Sequence, residues 1–182
     1  MRLTTMTDYA MRLLMYVAQR PEQLCTIAEV AAAYGISEAH LMKITHQLGL
    51  AGFIETVRGK GGGMRLARAP DGINLGAVVR SVEPDFNLVE CLATGNTCTL
   101  TGQCRLTAVV NGALRQFLDH LDGHTLADVL HSLAVTYVAQ GQRNRAQPLY
   151  EESLKLNQAS GDKAGIAYTL YEMGINTVEQ GQ

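Results

Sequence analysis

At 182 residues, 47% of them hydrophobic and with a net charge of −2, the chain is long enough to bury one core, or one core with an appendage. No stretch approaches the ~20 apolar residues of a membrane span, and the first apolar run, broken by Asp8 and Arg12, lacks the pattern of a secretory leader, so a cytoplasmic protein is expected. The charge is uneven: the first 70 residues hold eight Lys/Arg against five Asp/Glu, a net +3, and the rest hold seven against twelve, a net −5, which suits a polyanion as partner of the front half.

Ala10, Leu13, Leu14, Val17 and Ala18 recur at i, i+3, i+4 spacing and predict a helix from about Thr7 to Arg20, ended by Pro21. Thr26, with Glu29 three residues on, makes a capping box for a second helix that turns Ile27, Val30 and Ala31 inward and stops at Gly35. Ser37 caps a third helix that ends near Gly52 and points Leu41, Ile44 and Leu48 at the core. Two helices joined through a tight Gly-Ile-Ser turn form a helix-turn-helix. The strand FIETV, the loop RGKGGG and the strand MRLA then predict a hairpin wing closed by Pro70-Asp71-Gly72.

In a helix-turn-helix the second helix enters the major groove of duplex DNA, so Ser37, Glu38, His40, Lys43 and His46 are the candidates to reach base edges. The wing supplies Arg58, Lys60, Arg65 and Arg68 with no acid between 58 and 68, and its three consecutive glycines let backbone approach sugar and phosphate. A Gly-rich loop can also cradle nucleotide phosphates, but no helix follows this one directly and no Ser/Thr follows Lys60, which argues against a P-loop.

Leu75 to Val82 reads as a short helix ended by Pro84, and about Asp85 to Cys104 as a loop. This loop carries Cys91, Cys98 and Cys104 in the run CLATGNTCTLTGQC, a C-x6-C-x5-C spacing. Three thiolates on irregular backbone can wrap a metal centre and fall one ligand short of the usual four. Structural zinc and a disulfide pair are the rival readings, the latter disfavoured in a reducing compartment. Cys25 reads as a buried thiol. From Arg105 to about Leu121 a further helix carries a wide apolar stripe of Leu106, Val109, Val110, Ala113, Leu114, Phe117, Leu118 and Leu121 that suits a dimer contact. Asp122-Gly123 breaks it, and Thr125 caps a short helix, LADVL. Beyond Leu130, Leu133, Ala134, Tyr137, Gly141, Ala146, Tyr150 and Leu154 stand at tetratricopeptide-like offsets, with a weak echo 40 residues later at Met173, Gly174 and Gly181. Gln182 falls in the middle of that second unit, so the tail reads as incomplete, spliced on, or dependent on packing against the rest. No paired acid and base, activated nucleophile or nucleotide fingerprint stands out, and no enzyme is expected.

The runs TTMTDYAMRLLMYVA and HLMKITHQLGLAGFIETVRGKGGGMRL, with the three-cysteine loop, resemble the NsrR group of nitric-oxide-sensing repressors. That group belongs to a family of winged-helix regulators that also includes the iron–sulfur regulator IscR. The resemblance covers residues 1 to about 130. It implies a homodimer that binds double-stranded operator DNA, represses nitric-oxide detoxification genes through an iron–sulfur cluster, and leaves the DNA when nitric oxide attacks that cluster. It also implies Cys91, Cys98 and Cys104 as cluster ligands, with the partner subunit's Asp8 as the fourth. Read from the residues alone, Asp8 is equally placed as a first-turn acid favoured by the helix dipole. IscR-like members carry a histidine three residues after the last cysteine, where this chain has Thr107, so a 4Fe–4S cluster is expected over a His-ligated 2Fe–2S one. The gap of six residues after Cys91 departs from the commoner five.

The expected fold is mainly α with a small β-hairpin wing. Residues 1–72 form the winged helix-turn-helix, 73–130 the cluster-binding loop and dimerisation helix, and 131–182 a tetratricopeptide-like helical hairpin. The alternatives are a regulator of iron or iron–sulfur status with the same architecture, and a helical-repeat scaffold whose tail binds a protein partner.

Overall fold

The structure, a computed structural model, describes residues 3–100, 103–161 and 163–178. α1 (Thr5–Ala18) buries the face read from its sequence, Ala10, Leu13, Leu14, Val17 and Ala18. α2 (Ile27–Tyr34) starts at the reciprocal Thr26–Glu29 capping box and ends at Gly35, whose φ of 64° a side chain would disfavour. α3 (Glu38–Leu50) starts at Ser37, whose Oγ accepts the His40 N–H, and its Leu41, Ile44 and Leu48 are completely buried. α2 and α3 form the helix-turn-helix, and α1 packs against both.

β1 (Ile54–Val57) and β2 (Gly63–Leu66) form the antiparallel wing, with Ile54 opposite Leu66 and Val57 opposite Gly63. The segment before α2 adds one isolated antiparallel bridge to β2: Cys25 N–H donates to the Met64 carbonyl at 2.9 Å, and Met64 N–H to the Cys25 carbonyl at 2.8 Å. The glycine run has a reason inside the wing that its sequence did not disclose. A Cβ at Gly62 would lie 2.3 Å from the Val57 carbonyl oxygen, and one at Gly63 would lie 2.7 Å from that of Cys25.

α4 (Leu75–Val82) is capped by Asn74, buries Leu75, Val78, Val79 and Val82, places Val78 and Val82 in the core it shares with α1 and α3, and also packs on α5. Past the cysteine loop come α5 (Arg105–Asp122), α6 (Leu126–Ala139), α7 (Arg143–Ser160) and α8 (Lys163–Val178). α6 corrects one expectation. It is a single helix of 14 residues rather than the short LADVL, and the boundary drawn after Leu130 falls inside it. Leu126, Leu130 and Ala134 form one buried stripe at i, i+4, i+8, and nothing interrupts the helix before Gly141. On one side α6 packs against α1 and the Pro70–Gly72 turn, on the other against α7. Ala146, Leu149 and Tyr150 of α7 thereby join the same core as the winged helix. α8 packs on α7, with Met173 half-buried, while Gly181 lies outside the described residues. No helix among the described residues is long and apolar enough to cross a membrane.

Candidate DNA-reading face and cysteine loop

All eight candidate DNA contacts, Ser37, Glu38, His40, Lys43, His46, Arg58, Lys60 and Arg65, are exposed. An open groove of about 770 Å³ separates α3 from the wing, with Met42, His46 and Leu50 on one wall and Thr56 and Arg58 on the other. The cations differ in what they already hold. Arg65 pairs with Glu55, its register partner across the hairpin. Arg68 turns inward: its Nε and Nη2 donate to the Gly52 carbonyl at 3.0 and 2.8 Å, and its guanidinium lies 5.2 Å from the Phe53 ring centre. Arg68 therefore braces the wing base. Among the described residues Lys43, Arg58 and Lys60 make no ion pair, so no carboxylate neutralises their charge. Ser37 and His40 are tied to each other, Oγ to Nδ1 at 2.9 Å, with the Tyr9 ring 6.1 Å from the imidazole.

The stretch between α4 and α5 contains one regular feature among its described residues, a 3₁₀ turn at Glu90–Leu92 that carries Cys91. Cys104 is the residue that opens α5, and Cys98 is exposed. Asn96 ties these turns together. Its Oδ1 accepts the Cys98 N–H at 3.2 Å, and its amide donates to the carbonyls of Cys91 at 3.5 Å and Ala93 at 3.4 Å. The Thr107 hydroxyl lies 3.5 Å from the Cys91 sulfur. Cys25 is buried beneath the wing, and burial pushes its thiol up and disfavours the thiolate there.

All four cysteines are free thiols, so no loop pair is oxidised in this structure. Among the described residues no three His, Cys, Asp or Glu side chains converge into a metal-holding group. Asp8 stands in the first turn of α1, 3.1 Å from Arg12 one turn on. The donor chemistry nevertheless fits an iron–sulfur centre: three unpaired soft thiols on an irregular loop, none sealed in the core and each near enough in sequence to close round one cluster.

Two side chains that matter here are missing from the sequence reading. Glu83, just after α4, accepts the Thr4 N–H at 2.8 Å and the hydroxyls of Thr4 and Thr7 on a single oxygen. It caps α1 from 79 residues away and fixes the root of the cysteine loop to the helix that carries Asp8. Asn96 sits in the Gly-Asn turn signal of the loop, which predicts a bend but not its three partners.

α5 is amphipathic over 18 residues and buries none of them. Leu106 is 59% and Val109 67% exposed, so the start of the apolar stripe read from the sequence is open in one chain, while Val110, Leu114, Phe117, Leu118 and Leu121 are half-buried and α5 packs on α4.

A family model described as Rrf2, iron-dependent transcriptional regulator, matches residues 3–132. The chain is similar to the HTH-type transcriptional regulator NsrR of Bacillus subtilis, 47% identical over 132 residues that make up 71% of this chain and 90% of that protein. It is similar also to NsrR of Geobacillus kaustophilus, 49% identical over 136 residues, 74% of this chain and 92% of that protein. Among solved structures, IscR of T. potens superposes with a TM-score of 0.59 at 25% identity, over 73% of this chain and 88% of that one. α7 and α8 lie beyond the residues the family model matches.

Proposed function

The chain belongs to the Rrf2 family of transcriptional regulators, whose named relatives are regulators and not enzymes, and on that premise we propose that it represses nitric-oxide detoxification genes and senses nitric oxide through an iron–sulfur cluster. The observation that carries this reading is the joining, in one chain, of an exposed cationic DNA face to a loop with three free thiols. Cys91, Cys98 and Cys104 would hold the cluster, with Asp8 of the partner subunit as fourth ligand. When bound, the cluster supplies the iron at which nitric oxide acts. Thr107, in the place where IscR-like members carry histidine, favours a 4Fe–4S over a 2Fe–2S centre.

Each of this chain's own parts has a role in that scheme. A second copy's α5 covers Leu106 and Val109 and makes the homodimer. Two α3 helices then meet successive major grooves, roughly 34–36 Å apart. His46 and Lys43 face bases, while Arg58 and Lys60 hold phosphate or enter the minor groove. To reach across the dimer Asp8 gives up Arg12, an exposed i, i+4 pair worth about 0.3–0.5 kcal/mol, which a metal bond exceeds. A 100-fold change in operator affinity between the two cluster states requires about 2.7 kcal/mol of coupling.

The test is electrophoretic mobility of a palindromic promoter fragment, selected from the source genome with anaerobically purified protein. Retardation by cluster-loaded protein, abolished by nitric oxide, is expected; equal retardation by loaded, apo and nitric-oxide-treated protein overturns the reading. The family description as iron-dependent favours one second reading, a regulator of iron or cluster supply. Release of the fragment by iron chelation but not by nitric oxide would select it.

A further inference from the structure

We propose that Arg80, Asp122 and Asn74 form the joint through which α5 moves the reading head, and that they are positioning residues for the switch. The inference rests on the regulatory reading above.

Among the described residues the charged and backbone fastenings of α5 to the winged helix gather at its last residue, Asp122. There the carboxylate takes a two-bond fork from Arg80 on α4: Nη1 to Oδ1 at 2.5 Å and Nη2 to Oδ2 at 2.7 Å. Asn74 holds the same point by backbone. Its Nδ2 donates to the Asp122 carbonyl at 2.6 Å, while its Oδ1 caps α4 by accepting the Ala77 N–H at 2.9 Å. Two backbone bonds continue the seam, Leu75 N–H to the His124 carbonyl at 3.0 Å and Leu126 N–H to that of Ile73 at 2.9 Å. Gly76 makes room for it: a Cβ there would lie 1.9 Å from Asp122 Oδ1. At the other end α5 begins at Cys104, and Leu106 and Val109 beside it are more than half exposed. The Asp122 end is thus tied to α4, whereas the cysteine end is tied to the loop, with the Thr107 hydroxyl 3.5 Å from the Cys91 sulfur, and follows the state of that loop.

The joint leads to the DNA face. α4 buries Val78, Val79 and Val82 and packs against both α1 and α3, so a tilt of α5 reaches α3 through a close-packed helix. A guanidinium fork fixes a plane as well as a distance, and so transmits a rotation that a single contact would absorb. The side chains of Arg80 and Asp122 are 41% and 40% exposed, where an ion pair adds little to stability. Orientation is what the pair supplies.

Gly76→Ala is the sharpest probe. It leaves both charges in place and improves the helix propensity of α4, yet its methyl group displaces the Asp122 carboxylate. Wild type, Gly76→Ala, Arg80→Lys and the exchange Arg80→Asp/Asp122→Arg would be compared, cluster-loaded and apo, on the promoter fragment selected by the wild type. Melting, gel filtration and the visible spectrum would be recorded alongside. The expected result is an unchanged spectrum and dimer, a ratio of loaded to apo affinity at least tenfold below wild type for Gly76→Ala and Arg80→Lys, and partial recovery in the exchange. Variants that keep the wild-type ratio overturn the proposal. So do variants that lose dimer or cluster together with the ratio, because the pair is then merely structural. A wild type with no difference between loaded and apo forms overturns the regulatory reading itself, and the joint with it.

Discussion

α1 and α3 bury Leu13, Leu14, Leu41, Ile44 and Leu48 completely, whereas α5, longer than either, buries nothing and packs chiefly on α4. Both regions are helical and both are amphipathic. The head meets its apolar faces with its own elements, so its shape is set by one chain. α5 and the loop before it leave Leu106 and Val109 open and three thiols outside the core, and on the reading proposed above their shape waits on a second copy and an inorganic centre. A signal acts most easily where the single chain is under-packed, because little native packing has to be broken there.

The largest expected effects fall on the unfinished region. Serine at Cys91, Cys98 or Cys104 should remove the visible chromophore of anaerobic protein and all response to nitric oxide, while the head's helicity by circular dichroism stays intact. A chromophore that survives all three single substitutions would remove the contrast between the regions. Next, Val109→Asp places a charge on the open stripe at a site 67% exposed in the single chain. It should leave the fold alone, give monomers in sedimentation, and weaken promoter binding on the order of 100-fold as one of two heads is lost.

Effects on the head are effects on stability. Leu41→Ala, at a site with no exposure, should cost about 2–5 kcal/mol in urea unfolding, with no change in cluster spectrum for the folded fraction. Thr26→Ala removes the hydroxyl that accepts the Glu29 N–H at 3.2 Å and should cost about 1 kcal/mol. The smallest effect extends the contrast to the tail. His131 lies between the rings of Tyr150 and Tyr168 with Nδ1 3.2 Å from Ser153 Oγ, and burial depresses its pKa, opposed by Glu172 and Asp128. The unfolded chain therefore takes up the proton first as pH falls. Stability is full above pH ~6.5 and declines below it, down through the depressed folded value. His131→Gln should flatten the melting temperature between pH 7.5 and 5.5; an unchanged slope would assign the pH dependence elsewhere.

Local rules carried most of the fold. The capping box at Thr26, the left-handed Gly35 and the i, i+3, i+4 stripes of α1 and α3 are interactions within a few residues, and the sequence shows such interactions directly. α6 was misread because repeat-like offsets from Leu133 onward drew attention from a simpler stripe, Leu126, Leu130 and Ala134, that crosses the boundary. The DNA face was legible in which side chains are exposed but not in their present partners. Glu55 for Arg65 is a strand register, and Gly52 for Arg68 is a fold-back across 16 residues. Glu83 to Thr4 and Arg80 to Asp122 join residues 79 and 42 apart, where no periodicity links them. The cysteine spacing speaks for metal through the chemistry of thiolates, while closure of the loop round a centre depends on groups outside one chain.

Coupling between cluster and promoter can be read in one titration. Anaerobic protein bound to its promoter fragment is treated with stepwise nitric oxide, and the visible absorbance and the bound DNA fraction are read from the same sample. DNA should be released in step with the loss of the cluster band. Full retention of the fragment after the band has gone would contradict that coupling.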